Sequence, residues 1–199
     1  MTTAREPSVR EQIESGKLTI SGLIEEEDSI NLSGMTIDGD LTIIDCEISH
    51  DLDLSQTKIN GSLTLIRVSV TGKLSLTNSS IKNNLVINHS WINGTLLMNG
   101  SLIEGEVQFV STNFSGELHL MSTTIKLNLV CIKTEFANSL YLSGLSVEGG
   151  IVIEGGVIEG DVHVDNNIAL GLYFFTIKGS GVHIGYMSLR DLFDRIANK

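Results

Sequence analysis

A repeat of eleven residues runs without insertion from residue 35 to residue 166 and constrains the fold more than any other feature of the chain. The third, seventh and ninth positions are apolar in all twelve units, as at Ile37, Leu41 and Ile43 of the first unit. The fifth position is Gly in eight units and Asn in two. Because these residues adopt a positive φ at the lowest cost, we predict that each unit is a short strand, a glycine corner and a second short strand.

The tenth position of the repeat indicates that two units make one structural period. Odd-numbered units carry there Ile44, Ile66, Asn88, Val110, Ile132 and Glu154. Even-numbered units carry Ser55, Thr77, Asn99, Met121, Ser143 and Asp165. A coil of only eleven residues is also too small to enclose three large side chains. The pattern therefore predicts an all-β fold, a single-stranded right-handed parallel β-helix of about six 22-residue coils, roughly 30 Å long at ~4.8 Å per rung.

The register divides the chain into three segments. We predict an N-terminal capping segment at 1–17, the β-helix at 18–186 and a C-terminal capping helix at 187–199. Ser8 and Glu11 have capping-box spacing, and Gly16 can end the short helix that follows. Near the other end, four apolar residues fall at helical spacing: Leu189, Leu192, Phe193 and Ile196. Both ends of the solenoid are thus expected to be covered, and the register is expected to slip near residues 170–175.

Two stretches, 58–65 and 158–164, carry the repeat in its clearest form, a Gly followed by alternating apolar residues. This unit resembles the pentapeptide-repeat superfamily and its looser relatives, a likeness of periodicity that covers about two thirds of the chain. The resemblance implies a right-handed quadrilateral β-helix and, for some members, acidic mimicry of duplex DNA that binds topoisomerases. The repeat pattern is also similar to that of bactofilins, which polymerise end to end as β-helices. The two predicted capping segments count against such polymerisation here.

Composition and motifs exclude several classes of function. The formal net charge of −11 opposes a phosphate backbone, so we expect no direct nucleic-acid binding. No apolar run approaches the ~18 residues of a membrane helix, and the first residues lack a secretory signal, so we expect no membrane association and a cytoplasmic location. No C-x-x-C, H-E-x-x-H, G-x-S-x-G or phosphate-loop pattern occurs. We therefore expect no catalytic residue, no cofactor and no metal.

The two cysteines, Cys46 and Cys131, both face inward in the repeat register. They lie nearly four coils apart, which far exceeds the ~7 Å between Cα atoms that a disulfide tolerates. The sequence therefore predicts two buried, free thiols in a reducing compartment.

The eighth position of the even units places polar and aromatic residues on one outward face. His119, Tyr141 and His163 fall there on adjacent rungs, and Glu117 and Asp161 at the sixth position lie beside them. One interpretation is a glycan-binding or glycan-processing groove that uses acid–base residues. The other is a cross-strand ladder on a half-exposed sheet. We favour the ladder, because the short turns of this chain provide no walls for a cleft.

The eighth and tenth positions of the odd units form an apolar strip on the opposite face. Its candidate interface residues are Ile44, Ile66, Val86, Val110, Val130 and Ile132. Contiguous exposed apolar area usually marks an interface, so we expect a homodimer or another protein partner. Alternatively, the C-terminal helix folds back over the strip, although a helix of ~10 residues would span only ~15 Å, about half of it.

The leading functional hypothesis is therefore a non-catalytic protein-interaction or scaffold module that self-associates. An acidic DNA mimic that inhibits or protects a DNA-binding enzyme is the first alternative, and glycan binding or processing is the second. Carboxylates spaced like phosphates would support mimicry. The candidates are Asp40, Asp51, Glu106, Glu117 and Asp161.

Overall fold

Parallel pairing between segments 22 residues apart organises the fold. In the computed structural model, Leu85 lies beside Leu63 of the preceding coil and beside Val107 of the following one. The structure describes residues 7–24, 29–163, 168–175, 182–184 and 187–188. The chain is an all-β parallel solenoid of about six coils with turns of about 22 residues, as the repeat predicts.

The described elements are one short helix and 27 strands. The first part of the chain contains α1 (Val9–Glu14), β1 (Thr19–Ile24), β2 (Ile30–Asn31), β3 (Thr36–Ile37), β4 (Leu41–Ile48), β5 (Leu52–Asp53), β6 (Lys58–Ile59), β7 (Leu63–Ile66), β8 (Ser69–Val70), β9 (Leu74–Ser75), β10 (Ser80–Ile81), β11 (Leu85–Asn88), β12 (Trp91–Ile92), β13 (Leu96–Leu97) and β14 (Leu102–Ile103). The second part contains β15 (Val107–Val110), β16 (Asn113–Phe114), β17 (Leu118–His119), β18 (Thr124–Ile125), β19 (Leu129–Ile132), β20 (Glu135–Phe136), β21 (Leu140–Tyr141), β22 (Ser146–Glu154), β23 (Val157–Ile158), β24 (Val162–His163), β25 (Ile168–Phe175), β26 (Val182–Ile184) and β27 (Met187–Ser188).

Each regular coil contains four strand segments, two from the odd unit and two from the even unit. The coil that begins with β10 continues through β11, β12 and β13 before β14 starts the next coil. The first three segments of each coil belong to one large sheet, whereas the fourth stacks in a separate sheet of nine strands. In the odd units the second segment is four residues long, so it presents two outward side chains per rung instead of one.

The core is a column of apolar side chains that fills the lumen. Every described residue at the third, seventh and ninth positions is buried, and all of them join one continuous cluster. Phe114 packs edge-on against Phe109, with ring centroids 5.0 Å apart, and stacks on Phe136 at 5.4 Å. The apolar positions of the sequence are therefore the inward positions of the structure.

Buried hydroxyl groups at the first position of the repeat connect successive coils. Thr112 donates a hydrogen bond through Oγ1 to the carbonyl of Ile87, 25 residues earlier, at 3.0 Å. Thr134 donates in the same way to the carbonyl of Phe109 at 2.8 Å. Thr57, Ser101 and Thr123 make equivalent bonds. These hydroxyls stay buried at low cost because each has an acceptor in the coil before.

The prediction that the fifth-position glycines form left-handed corners is wrong. Among the fifth-position glycines, only Gly39 has a positive φ. The left-handed residues lie instead at the eleventh position, where φ is between 49° and 56° at eight residues other than Gly: Asp45, Gln56, Arg67, Asn78, His89, Ser111, Ser122 and Lys133. The fifth-position glycines serve close approach between coils. A Cβ on Gly105 would lie 2.6 Å from the carbonyl oxygen of Asn83, well inside ordinary contact distance.

The solenoid departs from its regular offset near both ends. Helix α1 begins after Ser8, whose side chain completes the expected capping box with Glu11, and its Val9 and Ile13 are buried in the core. Strand β1 pairs with β4 at offsets of 23 and 24 residues. The offset between β22 and β25 falls from 22 to 21 at the expected register slip. At the expected start of the C-terminal capping helix, β27 pairs antiparallel with β26, and residues 189–199 lie outside the described part of the chain.

The register predicts opposite outcomes for the same substitution on neighbouring residues of β11. Leu85 is fully buried, whereas Val86 is half-buried and faces outward. Leu85→Asp would bury an unpaired carboxylate, and we expect it to lower the free energy of unfolding by more than about 4 kcal/mol or to abolish folding. Val86→Asp should retain the strand-rich circular dichroism spectrum and change the urea midpoint far less. Comparable stability of the two variants would contradict the register.

Close approach at the fifth position predicts a cost for the smallest possible side chain. A Cβ on Gly94 would lie 2.9 Å from the amide nitrogen of Lys73 and closer still to the carbonyl group of Gly72. We expect Gly94→Ala to destabilise the solenoid by about 1–3 kcal/mol in urea unfolding. Asn83→Ala is the matched control, because Asn83 occupies the same repeat position and already carries a Cβ. An equal effect of the two substitutions would rule out the proposed contact between coils.

Candidate functional site

The apolar strip lies on the second strand segments of the odd units, in β4, β7, β11, β15 and β19. The structure brings all six predicted interface residues onto one face, where each is half-buried. They belong to two parallel ladders with one member per rung. The first ladder is Thr42, Thr64, Val86, Gln108, Val130 and Val152, and the second is Ile44, Ile66, Asn88, Val110, Ile132 and Glu154. The strip is therefore two side chains wide and follows the direction in which the coils stack.

The tenth-position ladder has polar ends and a polar centre. Beyond Ile132 the next member is Glu154, which is exposed, and beyond Ile44 the pairing partner is the exposed Ser21. Five rungs remain between these ends, and Asn88 occupies the middle one. At ~4.8 Å per rung, the four intervals between Ile44 and Ile132 span roughly 19 Å.

Asn88 carries an unsatisfied polar atom in the centre of the strip. Its side-chain oxygen Oδ1 is buried and accepts no hydrogen bond from the described residues. A buried acceptor without a partner costs about 1–3 kcal/mol. The repeat pattern places Asn88 in the strip, but it contains no signal that its amide lacks a partner, because that depends on the packing of the neighbouring rungs.

The polar face forms a column of stacked rings. The rings of His119 and Tyr141 are stacked with centroids 4.5 Å apart, and those of Tyr141 and His163 lie 4.6 Å apart and nearly parallel. Glu117 links two of them, with Oε2 2.8 Å from His119 Nε2 and Oε1 accepting a hydrogen bond from the Tyr141 hydroxyl at 3.3 Å. The Asp161 carboxylate makes no hydrogen bond to the column in the described part of the chain.

The stacking direction limits what this column can bind. Rings that stack along the rod cover one another's faces and present mainly their edges to solvent. A sugar ring that stacks on an aromatic side chain needs an open aromatic face. The geometry thus favours the cross-strand ladder, in which aromatic pairs stabilise the sheet, over a glycan groove.

Four of the five candidate DNA-mimic carboxylates make hydrogen bonds within the rod. Asp40 and Asp51 each accept a bond at 2.7 Å from a backbone N–H of the next coil. Glu106 accepts bonds from Gln108 and Asn128, and Glu117 contacts the ring column. These carboxylates therefore have structural partners that connect neighbouring strands and coils.

Comparisons with known proteins find no match to this chain. No family model matches it, and neither a curated protein nor a solved structure resembles it significantly. Among the residues that the structure describes, no helix is long and apolar enough to cross a membrane. Within the same residues, no three His, Cys, Asp or Glu side chains lie close enough together to hold a metal ion.

Both cysteines are buried and free, as the register predicts. Burial raises the pKa of the Cys46 thiol, and it raises the pKa of Cys131 from 9.0 to about 12. A thiol with so high a pKa forms very little thiolate near neutral pH, so Cys131 is not suited to nucleophilic chemistry.

The raised pKa of Cys131 predicts alkaline destabilisation. Below pH 9 the thiol is protonated in both states, but between pH 9 and about 12 only the unfolded chain loses the proton. Stability should therefore fall as the pH rises through this window. In urea unfolding, we expect the free energy of unfolding to fall less between about pH 8 and about pH 11 for Cys131→Ala than for the unmodified protein. The Tyr and Lys residues that titrate in this range are common to both proteins. Equal decreases in the free energy of unfolding would therefore contradict a contribution from Cys131.

Proposed function

We propose that the protein is a non-catalytic interaction module that forms a homodimer through the apolar strip. The observation that carries this proposal is the alignment of Ile44, Ile66, Val86, Val110, Val130 and Ile132 in two adjacent, half-buried ladders. Scattered surface apolar residues need no explanation, but a strip with at least one Val or Ile on each of five successive rungs indicates a surface that is covered in the assembled protein.

The size of the strip suits a small dimer interface. Its apolar side chains expose on the order of a few hundred Å² on one chain, near the upper range that a monomer tolerates. Two copies with their flanking residues would together remove on the order of 1,000 Å² from water, the lower bound for a specific interface. The rigid solenoid adds to the stability of such a dimer, because little conformational freedom is lost on association.

The order of residues in the tenth-position ladder favours an antiparallel pair about Asn88. A two-fold axis at this rung places Ile66 opposite Val110 of the second copy and Ile44 opposite its Ile132. The same axis places Glu154 opposite the rung of Ser21 in the second copy. A parallel pair would instead set two Glu154 carboxylates side by side, which is unfavourable.

The unsatisfied Asn88 amide gives the pair a preferred register. Rotation about Cβ–Cγ exchanges the positions of Oδ1 and Nδ2, so the outward edge of the amide can present an acceptor or a donor. Two Asn88 amides that meet at the axis can bond to each other, whereas a shift by one rung would place each amide against an apolar side chain. A single polar residue in an apolar interface commonly selects register in this way at some cost in stability.

Charge in the strip should separate the two copies. Ile66→Lys with Ile132→Lys would bury four ammonium groups in the dimer, so we expect a folded monomer in sedimentation equilibrium at tens of micromolar. Leu127→Lys is the control, because Leu127 is 50% exposed but lies outside the strip. It should leave the dimer intact. A monomeric unmodified protein under these conditions would refute the proposed function.

Cysteine cross-linking tests the register separately from association. Asn88→Cys should form an intermolecular disulfide on mild oxidation, because the two residues meet at the axis. Ile44→Cys alone should not, but a mixture of Ile44→Cys and Ile132→Cys chains should cross-link. A dimer by sedimentation that cross-links through Ile44→Cys alone would keep the interface and contradict the antiparallel register.

A further inference from the structure

A shallow pocket lies on the face formed by the second and fourth positions of the even units. Its volume is about 270 Å³, and it is lined by Asn113, Glu135, Phe136, Ala137, Val157 and Glu159. Ala137 is a small side chain on the rung between Ser115 and Glu159, so it leaves space that larger neighbours enclose. The volume is just below the ~300 Å³ that small-molecule sites usually reach, so it suits a single side chain.

The polar groups of this pocket are mainly acceptors. Asn113 donates through Nδ2 to Glu135 Oε2 at 2.8 Å, and its Oδ1 accepts a bond from Ser115 at 3.1 Å. Glu135 and Glu159 form no ion pair within the described residues, and neither does the neighbouring Lys133. The pocket therefore offers two carboxylates without a cationic partner above an apolar floor.

Trp91 lies on the rung directly beside Asn113. Its side chain is 56% exposed, the largest exposure among the large apolar residues described. Within the described residues, its indole stacks on no other ring. Glu135 lies two rungs from Trp91, roughly 10 Å along the rod, so an exposed indole and a carboxylate share this face. Both groups attract a delocalised cation.

We propose that this pocket binds an arginine side chain of a basic partner peptide, and that Trp91 contacts a neighbouring arginine of the same peptide. A guanidinium group supplies the donors that the pocket lacks and pairs with a carboxylate through two parallel hydrogen bonds. Its planar, weakly hydrated surface also suits the floor formed by Ala137 and Val157 better than a compact ammonium group does. An anion would be repelled, and a neutral sugar would find few donors.

This surface is separate from the proposed dimer interface. The pocket uses the two-residue strands β16, β20 and β23 of the even units, whereas the apolar strip uses β4, β7, β11, β15 and β19 of the odd units. The two proposals can therefore fail independently. The net charge of −11 would assist the approach of a basic peptide, so a test must separate local recognition from general attraction.

The single tryptophan of the chain makes binding directly measurable, because its fluorescence reports on Trp91 alone. We would titrate the protein with hexaarginine amide and with hexalysine amide, two probes of equal charge, at about 0.15 M salt. We expect saturable fluorescence changes and about tenfold tighter binding of the arginine probe, since stacking and bidentate pairing favour guanidinium.

Variants of equal charge locate the site. Glu135→Gln with Glu159→Gln should weaken hexaarginine binding about tenfold in calorimetry, because the paired carboxylates are lost. Glu104→Gln with Glu148→Gln removes the same charge at fourth positions of the odd units and should change the affinity less than twofold. Equal affinity for the two probes, equal weakening by both double variants, or no binding at all would overturn the proposal. Circular dichroism should confirm that both variants are folded.

Discussion

Hydrogen bonding between backbone segments 22 residues apart is the constraint on which the other features depend. It sets one spacing for the whole rod, so residues at equal repeat positions stack on one another and interact as columns. Phenylalanines stack inside the lumen, rings stack on the polar face and isoleucines align in the strip. A surface property of this protein is thus determined by the composition of a column, and each column is distributed over most of the sequence.

The sequence predicts the coil length and the inward positions because both depend on strict periodicity. Apolar residues at three positions identify the lumen, and the parity of the tenth position reveals the 22-residue coil. Local backbone conformation was harder to predict. The left-handed residues include Gln56 and Arg67, which have no preference for that conformation. The fifth-position glycines are instead required by close contact with the backbone of the preceding coil. A contact between residues 22 apart has no local sequence signal.

The same distinction applies to the surfaces. The apolar strip could be predicted because every residue in it follows from repeat position and parity. The pocket could not, because it depends on the relative sizes of side chains such as Ala137 and Glu159 on adjacent rungs. The exposed indole of Trp91 also has no counterpart in other units, so the repeat pattern does not predict it. In a repeat protein, unusual residues within a column indicate specialised surface more directly than the repeat itself does.

The buried hydroxyl bonds have a direction along the chain, with consequences for synthesis. In each bond the donor lies 25 residues after the acceptor, as Thr134 donates to the carbonyl of Phe109 in the coil before it. A nascent chain leaving the ribosome therefore meets an acceptor that is already in place for each new hydroxyl. Coils can be added one at a time from the N-terminus, and the partly synthesised rod serves as the template for its own continuation.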